Sequence, residues 1–137
     1  MLEARSYIGV PYVHLGRTHK GIDCAGLIFN VFDAVVGMPD DCLDYTPQYE
    51  TTFAFRKMKR YGLRIDRKQA KPGDVVLMSF AGLTSHFGIL TDNQRVIHAN
   101  RYTNKVVEHT FKHRNVLANR GRAVAYFRIK GVPKWDR

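Results

Sequence analysis

The stretch that most constrains how this chain can fold is Gly21-Ile22-Asp23-Cys24-Ala25-Gly26-Leu27. After it the sequence turns apolar through Leu27, Ile28, Phe29, Val31, Phe32, Ala34, Val35 and Val36, then meets Gly37. Leu27, Val31 and Val35 recur on one helical face with Ile28, Phe32 and Val36 beside them, which predicts a buried helix. Asp23 reads as its N-cap and Gly37 as its C-terminal stop. Cys24 then opens the helix, where unpaired N–H groups and the positive dipole end favour an anion. A thiol so placed can fall from a pKa of about 8.5 into the ~3.5–7.5 range and become a nucleophilic thiolate. On residue type alone a cysteine is more often a small buried apolar side chain. Its place at a helix start, behind a glycine and a capping aspartate, points to chemistry instead.

At 137 residues the chain reads as one domain over 1–137, large enough to bury a core without staples. Its last residues, 130–137, look like a loosely held basic tail. No apolar run approaches the ~20 residues of a membrane helix. Met1 to Tyr7 has no apolar signal-peptide core, so export by the usual route is not expected. Two cysteines, Cys24 and Cys42, do not make a disulfide framework, and Cys42 reads as a free structural thiol. No CxxC pair occurs, and neither a metal nor a cofactor is expected. The net charge of +10, from 22 Lys and Arg against 12 Asp and Glu, favours polyanionic partners such as anionic wall, lipid or DNA. The basic residues are spread rather than interleaved with aromatics, which argues against a specific nucleic-acid platform.

Residues 2–8 carry a short helical pattern closed by Gly9, and Gly9-Val10-Pro11-Tyr12 reads as a turn. Val13 to Lys20 is a polar loop bearing His14, Arg17 and His19. Met38 to Thr51 reads as an irregular, ordered loop. Thr52 to Tyr61 predicts an amphipathic helix with Phe53, Phe55 and Met58 inward and Arg56, Lys57, Lys59 and Arg60 outward, stopped by Gly62. After the turn Pro72-Gly73-Asp74 the periodicity becomes β-like: Val75–Phe80, His86–Leu90, Arg95–Ala99, Lys105–Phe111 and Ala123–Ile129. Helices first and strands later predict an α+β fold, helices packed on an antiparallel sheet of about five strands.

One hairpin sharpens the chemistry. A three-residue loop Thr91-Asp92-Asn93, with Asn93 left-handed, would place His86 directly opposite His98. Opposed residues share a sheet face with Cβ atoms about 5 Å apart, and a loop one residue longer or shorter would separate the rings. An imidazole beside a thiol can serve as base, with a further polar group to orient it. His86 fits the first role and His98 the second. His109 and His113 have the spacing of a helical metal pair, but Lys105–Phe111 reads as strand, where that spacing fails.

Read together, these residues resemble the NlpC/P60 family of cysteine peptidases. The first motif stands as Gly9-Val10-Pro11-Tyr12, Gly16 and Gly21-Ile22-Asp23-Cys24-Ala25-Gly26-Leu27, the second as Pro72-Gly73-Asp74-Val75-Val76. The third is Ser85-His86-Phe87-Gly88-Ile89, the fourth Val96-Ile97-His98-Ala99. The resemblance implies a papain-like α+β fold, with Cys24 as nucleophile, His86 as base and His98 as orienter. It implies an oxyanion and substrate region drawn from Tyr12, Asp23, Ala25, His14, Arg17 and Ser85. The implied substrate is the stem peptide of bacterial peptidoglycan, cut between D-glutamate and a diamino acid.

Leu15-Gly16 and Ala25 depart from the family's usual Gly-Gly and Ser, which bears on the preferred substrate terminus. His14-Leu15-Gly16-Arg17, Val106-Val107-Glu108-His109 and Phe127-Arg128-Ile129 resemble the variant of phage tails and gene transfer agents. That likeness implies an enzyme carried on a virion tail, held by other tail-tip proteins, and acting in the host periplasm or cell wall to open the wall during entry. A structural tail-tip protein with a vestigial site, a thiol-dependent amidase or acyltransferase, and a DNA-binding module are the competing readings.

Overall fold

The structure, a computed structural model, describes residues 2–37, 50–80, 83–91, 95–100, 103–110 and 122–132. Cys42, Asp92, Asn93, His113, most of the 38–51 loop and the end of the basic tail lie outside the described residues, as do the side chains of Phe53 and Ser85. The elements run α1 (Leu2–Arg5), β1 (Arg17–Thr18), β2 (Gly21–Ile22), α2 (Cys24–Val36) and α3 (Glu50–Tyr61). They continue with β3 (Gly62–Ile65), β4 (Val75–Phe80), β5 (Leu83–Thr91), β6 (Arg95–Asn100), β7 (Lys105–Thr110) and β8 (Arg122–Ile129).

Both ends of α2 are built as its sequence dictates. Asp23 is extended (φ −102°, ψ −178°), and its carboxylate accepts from the Gly26 N–H at 2.7 Å. Gly37 takes the left-handed conformation (φ 67°) and donates its N–H to the Asp33 carbonyl at 2.9 Å. Between them Leu27, Ile28, Phe29, Val31 and Phe32 are fully buried, each stabilising the fold by about 1.5–3 kcal/mol. Gly26 is required by a close approach: a Cβ there would lie 2.5 Å from the Gly16 carbonyl oxygen. The loop that precedes the helix therefore crosses directly over its first turn.

The strands form one six-stranded antiparallel sheet in the order β3-β8-β4-β5-β6-β7. Alternation along β4 sorts its side chains between two clusters. Val75 and Leu77 join Phe87, Ile89, Ile97, Phe127 and Ile129 in the main core with α2 and with Met58 of α3. Val76 and Met78 join Leu90, Val96 and Tyr126 in a second cluster. The Pro72-Gly73-Asp74 turn is fastened to the last strand: the Arg128 guanidinium reaches both Asp74 carboxylate oxygens, at 3.0 and 2.8 Å.

Gly9 to Tyr12 is not a free turn. Gly9 N–H donates to the Val106 carbonyl, Val106 N–H to Val10 and Tyr12 N–H to Asn104, so the segment covers the exposed edge of β7. The polar loop also contains more order than expected, because β1 and β2 pair as a short ribbon (Arg17↔Ile22, Thr18↔Gly21). Gly62, read as a helix stop, does stop α3, yet it also opens β3, a sixth strand paired with β8. Within α3, Lys57 is buried rather than outward. Its aliphatic stem covers apolar surface while the ammonium sits 5.8 Å from the Tyr61 ring centroid.

Candidate active site

Two constructions make up the candidate site. The first is the cap. Asp23 is fully buried and accepts three hydrogen bonds: from Gly26 N–H, from Leu15 N–H at 2.9 Å and from Arg17 Nη1 at 2.9 Å. Arg17 also donates to the Gly16 carbonyl and lies 5.7 Å from the Phe29 ring centroid. One carboxylate thus ties the loop, the ribbon and the helix start together. Cys24, the first residue of α2, is buried beside Ala25 in the main core, in the same cluster as Phe87, Ile97 and Ala99. Those three residues are the strand neighbours of His86 and His98, so β5 and β6 both contribute side chains to the cluster that holds the thiol.

The second construction is a row of imidazoles. His86 Nε2 lies 2.5 Å from His98 Nδ1, with the ring planes 81° apart. The register differs from expectation: Thr91 pairs with Arg95 and Ile89 with Ile97, which puts His86 and His98 two residues out of direct opposition. The two histidines are diagonal neighbours instead of direct ones. A shift of two residues preserves the face, and diagonal rings still reach each other. The row then continues, because His98 Nε2 lies 2.7 Å from His109 Nε2, and His109 Nδ1 lies 2.9 Å from the Thr110 carbonyl oxygen. Here too the geometry is diagonal, with His98 paired to Val107 and His109 two residues on.

His109 is the member the motifs did not pick out. Its strand assignment holds, with β7 running Lys105–Thr110, but finding its partner requires the register of a second hairpin. The signal available was Asn104, which takes the left-handed conformation (φ 58°) just before β7 and so marks where that turn ends. Of the remaining residues, Tyr12 is half-buried against the core and bridged to Ile22, and His14 is half-buried in the loop before the cap.

Burial, and then the neighbouring His86 and His109 rings, hold the His98 imidazole well below the ordinary histidine value of 6.5. The sign of the consequence is fixed. As pH falls below about 6.5 the unfolded chain binds a proton that native His98 refuses, so stability drops with decreasing pH. The limit is about 1.4 kcal/mol per pH unit. Urea unfolding between pH 7.5 and 5 should therefore show the wild type losing about 1–2 kcal/mol relative to His98→Asn. A difference that stays flat across that range would refute the assignment. Glu108, on the alternate face of β7, works in a lower window. Burial raises its pKa, but hydrogen bonds from Arg5 and Thr91, the Arg5 charge and a hydrogen bond from Arg95 outweigh that and hold it below the usual carboxylate range.

A capped helix opening on cysteine, packed against an antiparallel sheet that carries paired histidines, is the layout of a papain-like α+β protein. The chain belongs to the NlpC/P60 family, whose sequence profile matches residues 9–121. It is 37% identical over 102 residues to the gamma-DL-glutamyl hydrolase of Bacillus subtilis (strain 168), covering 72% of this chain and 22% of that protein. It is 31% identical over 99 residues to the probable endopeptidase NlpC of Escherichia coli (strain K12), covering 71% of this chain and 57% of that protein. The crystal structure of the NlpC/p60 domain of the peptidoglycan hydrolase SagA superposes with a TM-score of 0.59 at 30% identity, covering 80% of this chain and 84% of that one. The chain thus spans less than two thirds of the length of these curated relatives, and its kinship is to a family that includes peptidoglycan hydrolases and endopeptidases.

Proposed function

We propose that this chain is a cysteine peptidase that hydrolyses peptide bonds in the stem peptides of bacterial peptidoglycan, of the D-glutamate–diamino acid type. The observation that carries this reading is the 2.5 Å contact between His86 and His98 beside the strand residues that pack with a capped Cys24. With Nε2 of His86 committed to His98, its Nδ1 is the nitrogen that takes the thiol proton. The Cys24 sulfur attacks the scissile carbonyl, whose π electrons move to oxygen. The Cys24 backbone N–H at the helix start and the Tyr12 hydroxyl are the donors to that oxyanion. On collapse the C–N bond breaks and the amine leaves with the proton held by His86. Water, deprotonated by His86, then cleaves the thioester and releases a carboxylate and the thiol.

The role of Asp23 here is to position the helix start, while Ala25, His14, Arg17 and Ser85 belong to the substrate region by their motif positions. The likeness of the 14–17, 106–109 and 127–129 segments to phage-tail enzymes supports delivery by a virion tail, with other tail-tip proteins as partners. The net charge of +10 suits an anionic wall. Incubating the purified chain with defined muropeptides and weighing the products tests the reaction. Paired fragments summing to substrate plus one water are expected, with the new amine on the diamino acid. Intact muropeptides after prolonged incubation would overturn the reading.

A further inference from the structure

We propose that His109 is a positioning residue that selects the tautomer of His98 and, through it, leaves the Nδ1 of His86 unprotonated as a base. This deepens the peptidase reading and rests on it for the role of His86. The argument starts from an atom with no choice. The Thr110 carbonyl oxygen can only accept, so His109 Nδ1, 2.9 Å away, carries the proton. Neutral His109 then offers a lone pair at Nε2, and His98 Nε2, 2.7 Å off, must be the donor. Neutral His98 in turn accepts at Nδ1, so His86 Nε2 donates across the 2.5 Å contact. A neutral imidazole carries one N–H, and His86 has spent it. Its Nδ1 is left as the lone-pair nitrogen, and one backbone carbonyl at the sheet edge has decided this three rings away.

The same row has a second consistent state. When His109 takes up a proton, both its nitrogens donate. His98 must then accept at Nε2 and donate from Nδ1, and His86 must accept at Nε2, which puts its proton on Nδ1. The base is thereby switched off without any ring moving. His98 lies fully buried in the middle, whereas His109 is half-buried on the edge strand. Among the described residues the titratable group facing His109 is His98 on β6. Its neighbour Glu108 points to the other face and is engaged by Arg5, Thr91 and Arg95.

The test pairs imidazole ¹⁵N NMR of the intact chain with kinetics on a muropeptide, using wild type, His109→Phe and His109→Gln. At pH 8 the wild type should show Nε2–H tautomers for His86 and His98 and Nδ1–H for His109. His109→Phe removes the acceptor, so His98 should lose its single tautomer and kcat should fall about tenfold or more with KM little changed. His109→Gln supplies an amide oxygen to accept from His98 Nε2, so it should recover the tautomer and most of kcat. An unchanged His98 tautomer in His109→Phe, or a kcat within about twofold of wild type, would overturn the proposal. NMR reads the tautomers without turnover. A wild type that cuts no muropeptide yet shows the tautomer shift in His109→Phe would sink the peptidase reading and keep the positioning role.

Discussion

Cys24→Ala should lower muropeptide cleavage by about 10⁴–10⁶-fold, the scale on which single nucleophile deletions act in triad hydrolases. The fold should survive, because Cys24 is 1% exposed in an apolar cluster and alanine removes one small group from it. The hydrogen bonds from the Gly26, Leu15 and Arg17 nitrogens to the Asp23 carboxylate do not involve the thiol and stay in place. Far-ultraviolet circular dichroism and the thermal midpoint should therefore stay close to wild type while turnover disappears. Cys24→Ser keeps the shape and exchanges sulfur for a far less acidic hydroxyl, so it should be nearly as inactive. Labelling gives an independent reading. In a Cys42→Ser background, mass spectrometry after iodoacetamide reports Cys24 alone, and bound substrate should protect it. Cleavage by Cys24→Ala within about tenfold of wild type would remove the thiolate from the mechanism altogether.

How far the site could be read from residues alone differs element by element. Helix α2 was fully legible, because cap, apolar period and terminal glycine are all local signals that agree. The His86–His98 meeting was legible only as a parity. Thr91 pairs with Arg95, whereas the Asn93 turn chemistry predicts Leu90 opposite Gln94, so the pairing is moved by two. Parity survives that shift, so the rings still met, while the direct partner of each was missed. His109 needed two registers in series, and an error in either would have hidden it. β3 is four residues long and starts at the glycine that ends α3, so no period of its own announced it. Lys57 shows the limit of binary patterning: a long stem lets a charged residue occupy a covered position, and only the tertiary packing reveals that.

Asp23→Ala should be among the most destabilising single changes in the chain, by about 3–5 kcal/mol, because it strands the Arg17 guanidinium beside the core. The Arg17 side chain is 14% exposed and the carboxylate 0%, so water cannot take over the lost partner at Arg17 without opening the loop. The Leu15 and Gly26 N–H groups lose their acceptor at the same time. Against a total stability of about 5–15 kcal/mol this is a large fraction, readable as a shift in the urea midpoint at unchanged m-value. Asp23→Asn keeps the acceptor oxygen but not the charge, and should cost less than half as much. The double variant Asp23→Ala/Arg17→Met separates stability from function. Removing both charges relieves the stranded guanidinium, so its stability should exceed that of Asp23→Ala alone by about 1–3 kcal/mol. Activity should not return with it, because nothing then holds the Leu15 loop against the first turn of α2, where Cys24 must present its sulfur. If the double variant regained wild-type turnover along with stability, the buried pair would serve the fold alone and not the placement of the thiol.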